Sequence, residues 1–290
     1  MAAVTDESKA PPERGPARHA RGGRSSGRRS FAVWRWVVLL IAGVYFLIPL
    51  YGALKFSGFS AFGNVVSQDG FSSSLWLSVR LAIVTTAITL VLMVPTTVYV
   101  HLRLPKVRRA LESVTILPIV IPPVVLIIGL LQVAPPALAG TPYLLSLEYV
   151  VLAMPFAYRT IDAGVRSMDL KTLTEASNSL GAGWFVTLWR VILPNLSTAL
   201  LSATVLTVAL VLGEYTMATL DLVTTFPVWI VTNDQTSAPT TVAASLLSLF
   251  VTWLFLMAIT MIGTRQARRT GRGEVNLFSV TTATQTIGES

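Results

Sequence analysis

Six long apolar stretches alternate with polar segments along the chain, and this pattern predicts six membrane-spanning helices. A helix of about 20 apolar residues crosses a bilayer core, and each stretch approaches that length. The fourth is the weakest, because Glu148 and Pro155 interrupt it. In chain order the stretches run from about Trp36 to Leu54, Leu81 to Val100, Val114 to Ala134, Tyr143 to Ile161, Leu196 to Leu220 and Val242 to Gly263. The predicted fold class is an all-α polytopic membrane protein.

Lysine and arginine occupy alternate polar segments, and this distribution predicts the orientation of the spans. Of the 22 positive residues, 20 lie before the first stretch, in the 101–112 and 159–195 segments, or after the last stretch, and the exceptions are Lys55 and Arg80. Positive residues favour the cytoplasmic side of a membrane, so both termini are expected in the cytoplasm. The first stretch is too long for the apolar region of a typical signal peptide, which favours a retained span.

Composition supports a lipid-facing surface and excludes several kinds of site. The chain is 53% hydrophobic and 12% charged, whereas soluble domains carry about 25% charged residues. It has no cysteine, which excludes disulfides, thiolate metal sites and cysteine nucleophiles. The two histidines, His19 and His101, have no second ligand at chelating spacing, so no metal site is predicted.

A net charge of +8 suggests nucleic acid as a partner, but the charge is concentrated in a leader. Residues 1–30 are rich in Arg, Gly, Pro and Ser, a composition typical of disorder. We interpret this leader as a cytoplasmic anchor for the first span, with RNA or anionic-lipid binding as the minor alternative. The predicted organisation is a disordered basic leader (1–30), a transmembrane domain (31–265) and a cytoplasmic tail (266–290).

The long polar segment at about 169–195 contains the pattern of a short amphipathic helix. Thr172 and Glu175 have the spacing of a capping box and predict where the helix begins. Gly181 and Gly183 are expected to end it, because glycine adopts the left-handed conformation of a helix C-terminus. One face is predicted to carry Leu173, Ala176, Ser177 and Leu180. Such a short helix needs a partner surface for stability.

This loop resembles the family signature of the inner-membrane permeases of binding-protein-dependent ABC importers. The family pattern is Glu-Ala-Ala, three residues, Gly, nine residues, then Ile-x-Leu-Pro. It occurs here as Glu175-Ala176-Ser177, Gly181 and Val191-Ile192-Leu193-Pro194. Ser177 replaces the second alanine and Val191 replaces the isoleucine. Pro194 also suits the first turn of the fifth span.

The resemblance implies a type I ABC importer permease fold in a bacterial inner or plasma membrane. In this family the short helix is a coupling helix seated in a groove of an ATPase. The implied partners are two cytoplasmic ATPase subunits, a second permease (homologous or identical) and an extracellular or periplasmic solute-binding protein, within membrane lipid and without nucleic acid. The implied coupling residues are Glu175, Ala176, Ser177, Gly181 and Pro194.

ATP hydrolysis is expected in a partner subunit, because the chain has no Gly-Lys-Ser/Thr phosphate-binding sequence. No catalytic residue, metal or cofactor is therefore predicted for this chain. Pro118, Pro122 and Pro123 are expected to break the third span. Broken backbone within a membrane lines a cavity or is buried in protein, so Pro122 and Pro123 are pathway candidates.

Glu214, Tyr215 and Asp221 are further pathway candidates near the outer end of the fifth span. An acid within a span is functional by default, but related anion permeases also carry a Gly-Glu-aromatic segment here. Substrate contact and an architectural role therefore both remain open for Glu214. Asp221 and Asp234 add negative charge at the outer mouth. For Trp229, a position in the interfacial aromatic belt is favoured over stacking on a cation.

The substrate expectation follows from a finer resemblance to polyamine, thiamine, ferric-ion, phosphonate and opine importers. It is carried by residues 117–123 (Leu-Pro-Ile-Val-Ile-Pro-Pro) and 224–230 (Thr-Thr-Phe-Pro-Val-Trp-Ile). The second segment most resembles the polyamine permeases, so a small organic cation such as spermidine or putrescine is expected. The alternatives are phosphonate, thiamine or ferric-ion import within the same family, or an ion-coupled secondary transporter.

Overall fold

The computed structural model describes residues 26–138, 140–232 and 237–269, with side chains within 34–138, 140–232 and 237–265. Helices and short turns make up these residues, and no strand occurs among them. The α-helices are α1 (Ser26–Ser67), α2 (Phe71–Arg103), α3 (Arg108–Val120), α4 (Pro123–Val133), α5 (Pro142–Arg166), α6 (Leu170–Ser179), α7 (Trp184–Thr187), α8 (Leu193–Asn195), α9 (Ser197–Gly213), α10 (Thr216–Leu220), α11 (Phe226–Thr232) and α12 (Ala238–Arg269). A π-helical turn, Leu188–Ile192, connects α7 to α8.

The leader up to residue 25, Asp234 and the tail from residue 270 lie outside the described residues. Helix α1 begins at Ser26, so the last residues of the leader expected to be disordered are helical. Helix α12 continues to Arg269, a few residues into the expected tail.

The chain is an all-α polytopic membrane protein. Four helical segments are long and apolar enough to span a membrane. Two further pairs of consecutive helices, each bent at a short break, meet the same requirement when the two helices of a pair are taken together. The four are Trp34–Ser67, Phe71–Arg103, Pro142–Arg166 and Ala238–Arg265; the pairs are Arg108–Val120 with Pro123–Val133, and Trp184–Asn195 with Ser197–Gly213. They follow the order of the six predicted spans, although the second pair begins at Trp184, inside the 169–195 segment, and not at the predicted Leu196. Glu148 and Pro155 do not interrupt the fourth, because α5 continues through both residues.

The prolines of the third span break it as predicted. Helix α3 ends at Val120, Ile121 is extended, and Pro123 opens α4 at 106° to α3. Pro122 precedes α4 and has no N–H to continue the helical hydrogen bonds. Pro118 lies inside α3, where it is buried. Pro122 and Pro123 are both exposed.

The residues divide into two compact units, the first up to Tyr51 and the second from Gly52. In the first, the side chains of α1 between Trp36 and Tyr51 are apolar on all sides and almost all exposed, which is typical of a span facing lipid. In the second, α1 kinks at Gly58, whose φ of 68° is readily available to glycine.

The centre of the second unit is built from α2, α5 and α9, which pack against one another. A Cβ atom at Gly164 of α5 would collide with the Cβ of Ala199 in α9, so the missing side chain permits this close approach. One buried cluster joins these helices to the 169–195 loop and includes Met93, Val98, Ile161, Val165, Leu170, Leu188 and Ile192. The loop is therefore packed onto the ends of the spans that it connects.

Candidate functional site

The short helix of the 169–195 loop begins earlier than its sequence suggests. Asp169 is the N-cap, since its Oδ1 accepts a hydrogen bond from the Thr172 amide at 3.2 Å and its Oδ2 accepts one from the Thr172 hydroxyl at 2.7 Å. The predicted capping box of Thr172 with Glu175 is wrong, because the aspartate three residues upstream caps the helix first. The two hydrogen bonds from Thr172 hold the pKa of the Asp169 carboxyl below its ordinary value.

Gly181 ends α6, and this prediction is confirmed by its geometry. Its φ is 77°, its amide donates to Asn178 O at 2.9 Å, and the next amide, of Ala182, donates to Ser177 O at 3.2 Å. This pair of bonds is the Schellman arrangement, which requires a left-handed residue and favours glycine. Gly183 instead has an extended backbone and precedes α7, so its predicted role in ending the helix is wrong.

The face by which α6 packs differs from the predicted one. Leu170 and Ser177 are buried, whereas Ala176 and Leu180 are exposed. The helix begins three residues earlier than predicted, so its buried contacts are also made from its first turn. Ser177 contacts the following helix, because its hydroxyl lies 2.9 Å from the buried hydroxyl of Thr187.

The loop displays large apolar side chains that the sequence analysis did not single out as a surface. Leu180 is 89% exposed, Phe185 82% and Trp189 72%. Apolar side chains of this size on a polar loop mark a surface for a partner or for the membrane. The sequence does contain a signal for this surface, because Phe185 and Trp189 are four residues apart and so lie on the same side of a helix.

A groove of about 290 Å³ lies between the end of α2, α6 and α7. Arg103, Lys171, Glu175, Asn178 and Trp184 are among the residues that line it. Glu175 is exposed and lies 3.9 Å from Lys171 on the same helix. Two of the predicted coupling residues, Glu175 and Ala176, are therefore available on the surface of α6.

Pro194 lies where the loop returns to the spans. The π-helical turn closes with a bond from the Leu193 amide to Leu188 O, and Pro194 follows in α8 without an N–H to donate. The segment Trp184–Asn195 then bends by 78° into α9. Pro194 therefore lies at the bend before the fifth span, one short helix earlier than the predicted first turn.

Glu214 caps a short helix at the opposite end of α9. Its carboxylate accepts hydrogen bonds from the Tyr149 hydroxyl at 3.0 Å and from the Met217 and Ala218 amides at 2.8 and 3.3 Å. Charge-assisted bonds of this kind are strong and directional. This geometry supports the architectural interpretation of Glu214, because it fixes α10 against α5.

The predicted pathway residues differ in exposure: Pro122 and Pro123 are exposed, whereas Glu214 is half-buried. Tyr215 is exposed and Asp221 is half-buried. Asp221 lines an open cavity of about 570 Å³ together with Ser73, Ser74 and Thr224. Pro122 and Pro123 do not line it.

Trp229 belongs to neither of the two environments predicted for it. It is 5% exposed, its ring stacks on Phe226 with centroids 5.7 Å apart, and its indole N–H donates to Asp69 O at 3.0 Å. Both the interfacial-belt interpretation and the cation-stacking interpretation are wrong. The reason is that α11 folds inward, where Trp229 packs against Gly70.

Sequence comparisons place the chain among membrane transport components. The family model described as "binding-protein-dependent transport system inner membrane component" matches residues 93–272. A probable molybdenum ABC transporter permease protein of Haloferax volcanii is 31% identical over 195 residues, which are 63% of this chain and 72% of that protein. The molybdenum transport system permease proteins of Mycobacterium bovis and Mycobacterium tuberculosis are each 28% identical over 255 residues, covering 79% of this chain and 96% of theirs.

Solved structures share the fold at low sequence identity. A bacterial ABC transporter involved in the import of the acidic polysaccharide alginate contains a chain that is 15% identical, with a TM-score of 0.62 over 83% of this chain and 98% of that one. A bacterial alginate ABC transporter in complex with an alginate pentasaccharide-bound periplasmic protein contains a chain that is also 15% identical, with a TM-score of 0.62 over 85% of this chain and 98% of that one. At this identity the likeness describes the fold alone.

Proposed function

Because the chain belongs to the family of binding-protein-dependent transport system inner membrane components, we propose that its 169–195 loop is the surface on which an ATPase subunit docks. The chain is a permease subunit of an ABC importer and is not itself the ATPase. The single observation that carries the docking proposal is the construction of α6. It is capped at both ends by Asp169 and Gly181 and held to α7 by the Ser177–Thr187 pair.

Docking on this loop has a simple physical basis. The exposed side chains of Leu180 and Phe185 supply apolar area, which is the main favourable term in association. Glu175 and Lys171 supply charge beside it, which favours one orientation of the partner. Movement of an ATPase would then reach α5 and α9 directly, because the loop is the covalent connection between them.

Co-purification of the tagged full chain with its ATPase tests this proposal. We expect Glu175→Arg and Phe185→Ala to lose most of the ATPase, since each alters an exposed side chain and leaves the buried contacts of the loop in place. Asp69→Arg is the matched charge-reversal control, because Asp69 is also exposed but belongs to the α1–α2 turn. Full recovery of the ATPase with both loop variants contradicts the proposal.

For the substrate, we propose molybdenum taken up as its tetrahedral oxyanion, molybdate. The relatives from Haloferax and Mycobacterium are named for molybdenum, and they do not support the polyamine preference expected from the 224–230 segment. The structure removes a further argument for a cation, since the Glu214 carboxylate is engaged by one hydroxyl and two amides. Among the described residues, the cation expectation keeps the support of Asp221, at the edge of the open cavity.

Uptake in cells that express the complete importer distinguishes these substrates. We expect labelled molybdate to accumulate, tungstate to compete with it, and spermidine to have no effect. Accumulation of spermidine without molybdate contradicts the oxyanion proposal and favours the cation. Uptake that survives ATP depletion but stops with an uncoupler favours an ion-coupled carrier instead.

The remaining partners belong to the same proposal. We infer a complex of this chain with a second permease (homologous or identical), two ATPase subunits and a solute-binding protein on the outer side. The mass of the purified complex, measured by native mass spectrometry, tests the stoichiometry. A chain that purifies alone under conditions that preserve other importers counts against it.

A further inference from the structure

One buried carboxylate joins three elements of the second unit next to the 169–195 loop. Asp162 of α5 has a side chain that is 8% exposed. Its Oδ1 lies 3.1 Å from Nε2 of His101 and 3.4 Å from Nε of Arg108, and its Oδ2 lies 2.6 Å from an Arg166 guanidinium nitrogen. His101 is in the last turn of α2, and Arg108 is the first residue of α3. Both ends of the α2–α3 connection therefore contact the same carboxylate.

Asp162 is also tied closely to α6. Helix α5 ends at Arg166 and α6 begins at Leu170. The short link is stiffened by hydrogen bonds, from the Ser167 amide to Ala163 O at 3.2 Å and from the Leu170 amide to Met168 O at 3.0 Å. Because this link is so short, a displacement of α6 is passed to the last two turns of α5, where Asp162 lies.

We call the contacts of Asp162 with His101, Arg108 and Arg166 the junction. Because these contacts are polar, they depend on the relative orientation of the helices as well as on their distance. Asp162 faces two arginines and one histidine, and His101 also directs Nδ1 at Thr97 O at 2.9 Å. Asp162 is 8% exposed, whereas Arg108 is 29% and Arg166 49% exposed, so loss of this buried carboxylate is felt most by Arg108, because Arg166 stays in contact with water. His101, Arg108 and Arg166 thus share one carboxylate partner, and any rotation of α5 displaces it relative to α2 and α3.

We propose that Asp162 is a positioning residue that passes movement of α6 to α2 and α3. This inference rests on the proposed function of the loop. The apolar cluster around Leu170 holds the same helices together, but its contacts are non-directional. Asp162 fixes the relative rotation of α5, α2 and α3, so that the three ends move as one body when an ATPase moves α6.

The complete importer, with Asp162→Asn in this chain, provides the first test. Two quantities are measured in proteoliposomes: ATP hydrolysis and accumulation of labelled molybdate. We expect hydrolysis to continue while the molybdate accumulated per ATP is lost, and Asp162→Glu to restore part of it. Asp69→Asn, the same chemical change at an exposed carboxylate, is expected to behave as wild type.

A second measurement reports the junction itself and needs no substrate. The chain has no cysteine, so once the cysteines of the partner subunits are replaced, two introduced cysteines accept spin labels selectively. Thr96→Cys lies on α2 and Ser167→Cys lies in the link between α5 and α6, and both positions are exposed and outside the 169–195 loop. We expect the distance between the labels to be the same in nucleotide-free and ATP-vanadate-trapped wild-type importer. With Asp162→Asn we expect the distance to change on trapping, because α6 moves without α2.

The outcomes separate this inference from the proposal on which it rests. A wild-type label distance that changes on trapping, or an unchanged distance in Asp162→Asn, overturns the junction. The junction is also overturned if Asp162→Asn accumulates as much molybdate per ATP hydrolysed as wild type, even when the yield of folded complex is smaller. If that variant does not fold, His101→Gln, which keeps the Asp162–Arg166 pair, is judged by the same criteria. Failure of any ATPase to join the wild-type chain overturns both proposals.

Discussion

The hydroxyl of Ser177 lies 2.9 Å from the hydroxyl of Thr187, and both side chains are buried between α6 and α7. The Thr187 hydroxyl also donates to Gly183 O at 3.1 Å, so Ser177 acts as the donor to Thr187. This contact joins the two arms of the loop across the left-handed turn at Gly181. Ser177, which departs from the alanine of the family pattern, is thus matched by a partner ten residues later.

The Ser177–Thr187 pair predicts unequal effects of two conservative substitutions. Ser177→Ala removes one donor and leaves Thr187 bonded to Gly183 O, so we expect a loss of about 0.5–1.5 kcal/mol in unfolding free energy. Thr187→Val leaves the buried Ser177 hydroxyl without this partner, and we expect a larger loss of about 1–3 kcal/mol. Thermal unfolding of the solubilised chain measures both. Ser179→Ala, an exposed hydroxyl bonded to Glu175 O, is the control, and equal effects of all three contradict the pairing.

The Asp169 cap predicts that the start of α6 loosens in acid. Hydrogen bonds from Thr172 lower the pKa of this carboxyl in the folded state. A lowered folded pKa stabilises the fold above the unfolded value of about 3.9 and loses that contribution as pH falls through the folded value. We expect protection of the Thr172 amide from hydrogen exchange, corrected for the intrinsic rate, to fall below about pH 4.

Asp169→Asn provides the control for this acid effect. Asparagine is also a good N-cap but does not titrate, so the variant should keep the amide protected at neutral pH and show no acid-dependent loss. In Asp169→Ala, the Thr172 amide should be unprotected from hydrogen exchange at every pH. The same acid midpoint in wild type and Asp169→Asn would assign the change to another group.

Sequence patterns predicted the loop well where the signal was local. The left-handed residue that ends α6 is a glycine, and its φ of 77° explains why that residue type is needed at Gly181. The start of α6 was missed because Asp169 and Thr172 both have capping side chains, and only the structure shows which one accepts the amide. The partner of Ser177 was missed because hydroxyl pairs between helices leave no periodic signal.

The opposite end of the bundle was less predictable. Composition alone treats Trp229 as an interfacial aromatic, but its burial depends on α11 packing over Phe71 and Gly70. The role of Glu214 was open because a carboxylate in a span is equally expected beside a substrate and at a helix N-terminus. Its three donors come from α5 and α10, and such a tertiary arrangement cannot be derived from hydropathy.

The Glu214 cap predicts a variant that loses folded protein rather than substrate affinity. Glu214→Ala removes the acceptor for the Met217 and Ala218 amides, so we expect a lower unfolding temperature and a smaller yield of complex. Molybdate uptake per folded complex should keep its concentration dependence. Tyr149→Phe, which removes one of the three donors, should cause a smaller loss of stability. A shifted half-saturating concentration with normal stability would instead place Glu214 at the substrate.

Gly164 predicts how closely the two ends of the 169–195 loop must approach, since it lies in α5 before the loop and faces Ala199 in α9 after it. A methyl group at Gly164 would meet the Cβ of Ala199, which is fixed to the backbone, and Leu196 Cδ2 at 3.0 Å. We expect Gly164→Ala to lower the unfolding free energy by about 1–3 kcal/mol, the usual cost of overpacking. At Gly263 the nearest atom is Leu201 Cδ1 at 2.5 Å, the end of a flexible side chain, so Gly263→Ala should cost less.

Gly129 in α4 completes this series of glycine substitutions, because a Cβ there has nothing within 4 Å. Gly129→Ala should be neutral or stabilise the helix by up to about 1 kcal/mol. Chemical unfolding in mixed micelles measures the unfolding free energies of the three variants. We expect the highest value for Gly129→Ala, a lower one for Gly263→Ala and the lowest for Gly164→Ala. If Gly164→Ala is as stable as Gly129→Ala, α5 and α9 do not approach as closely as described. The two ends of the 169–195 loop would then not be held together by this contact, and movement of the loop would not reach both spans through it.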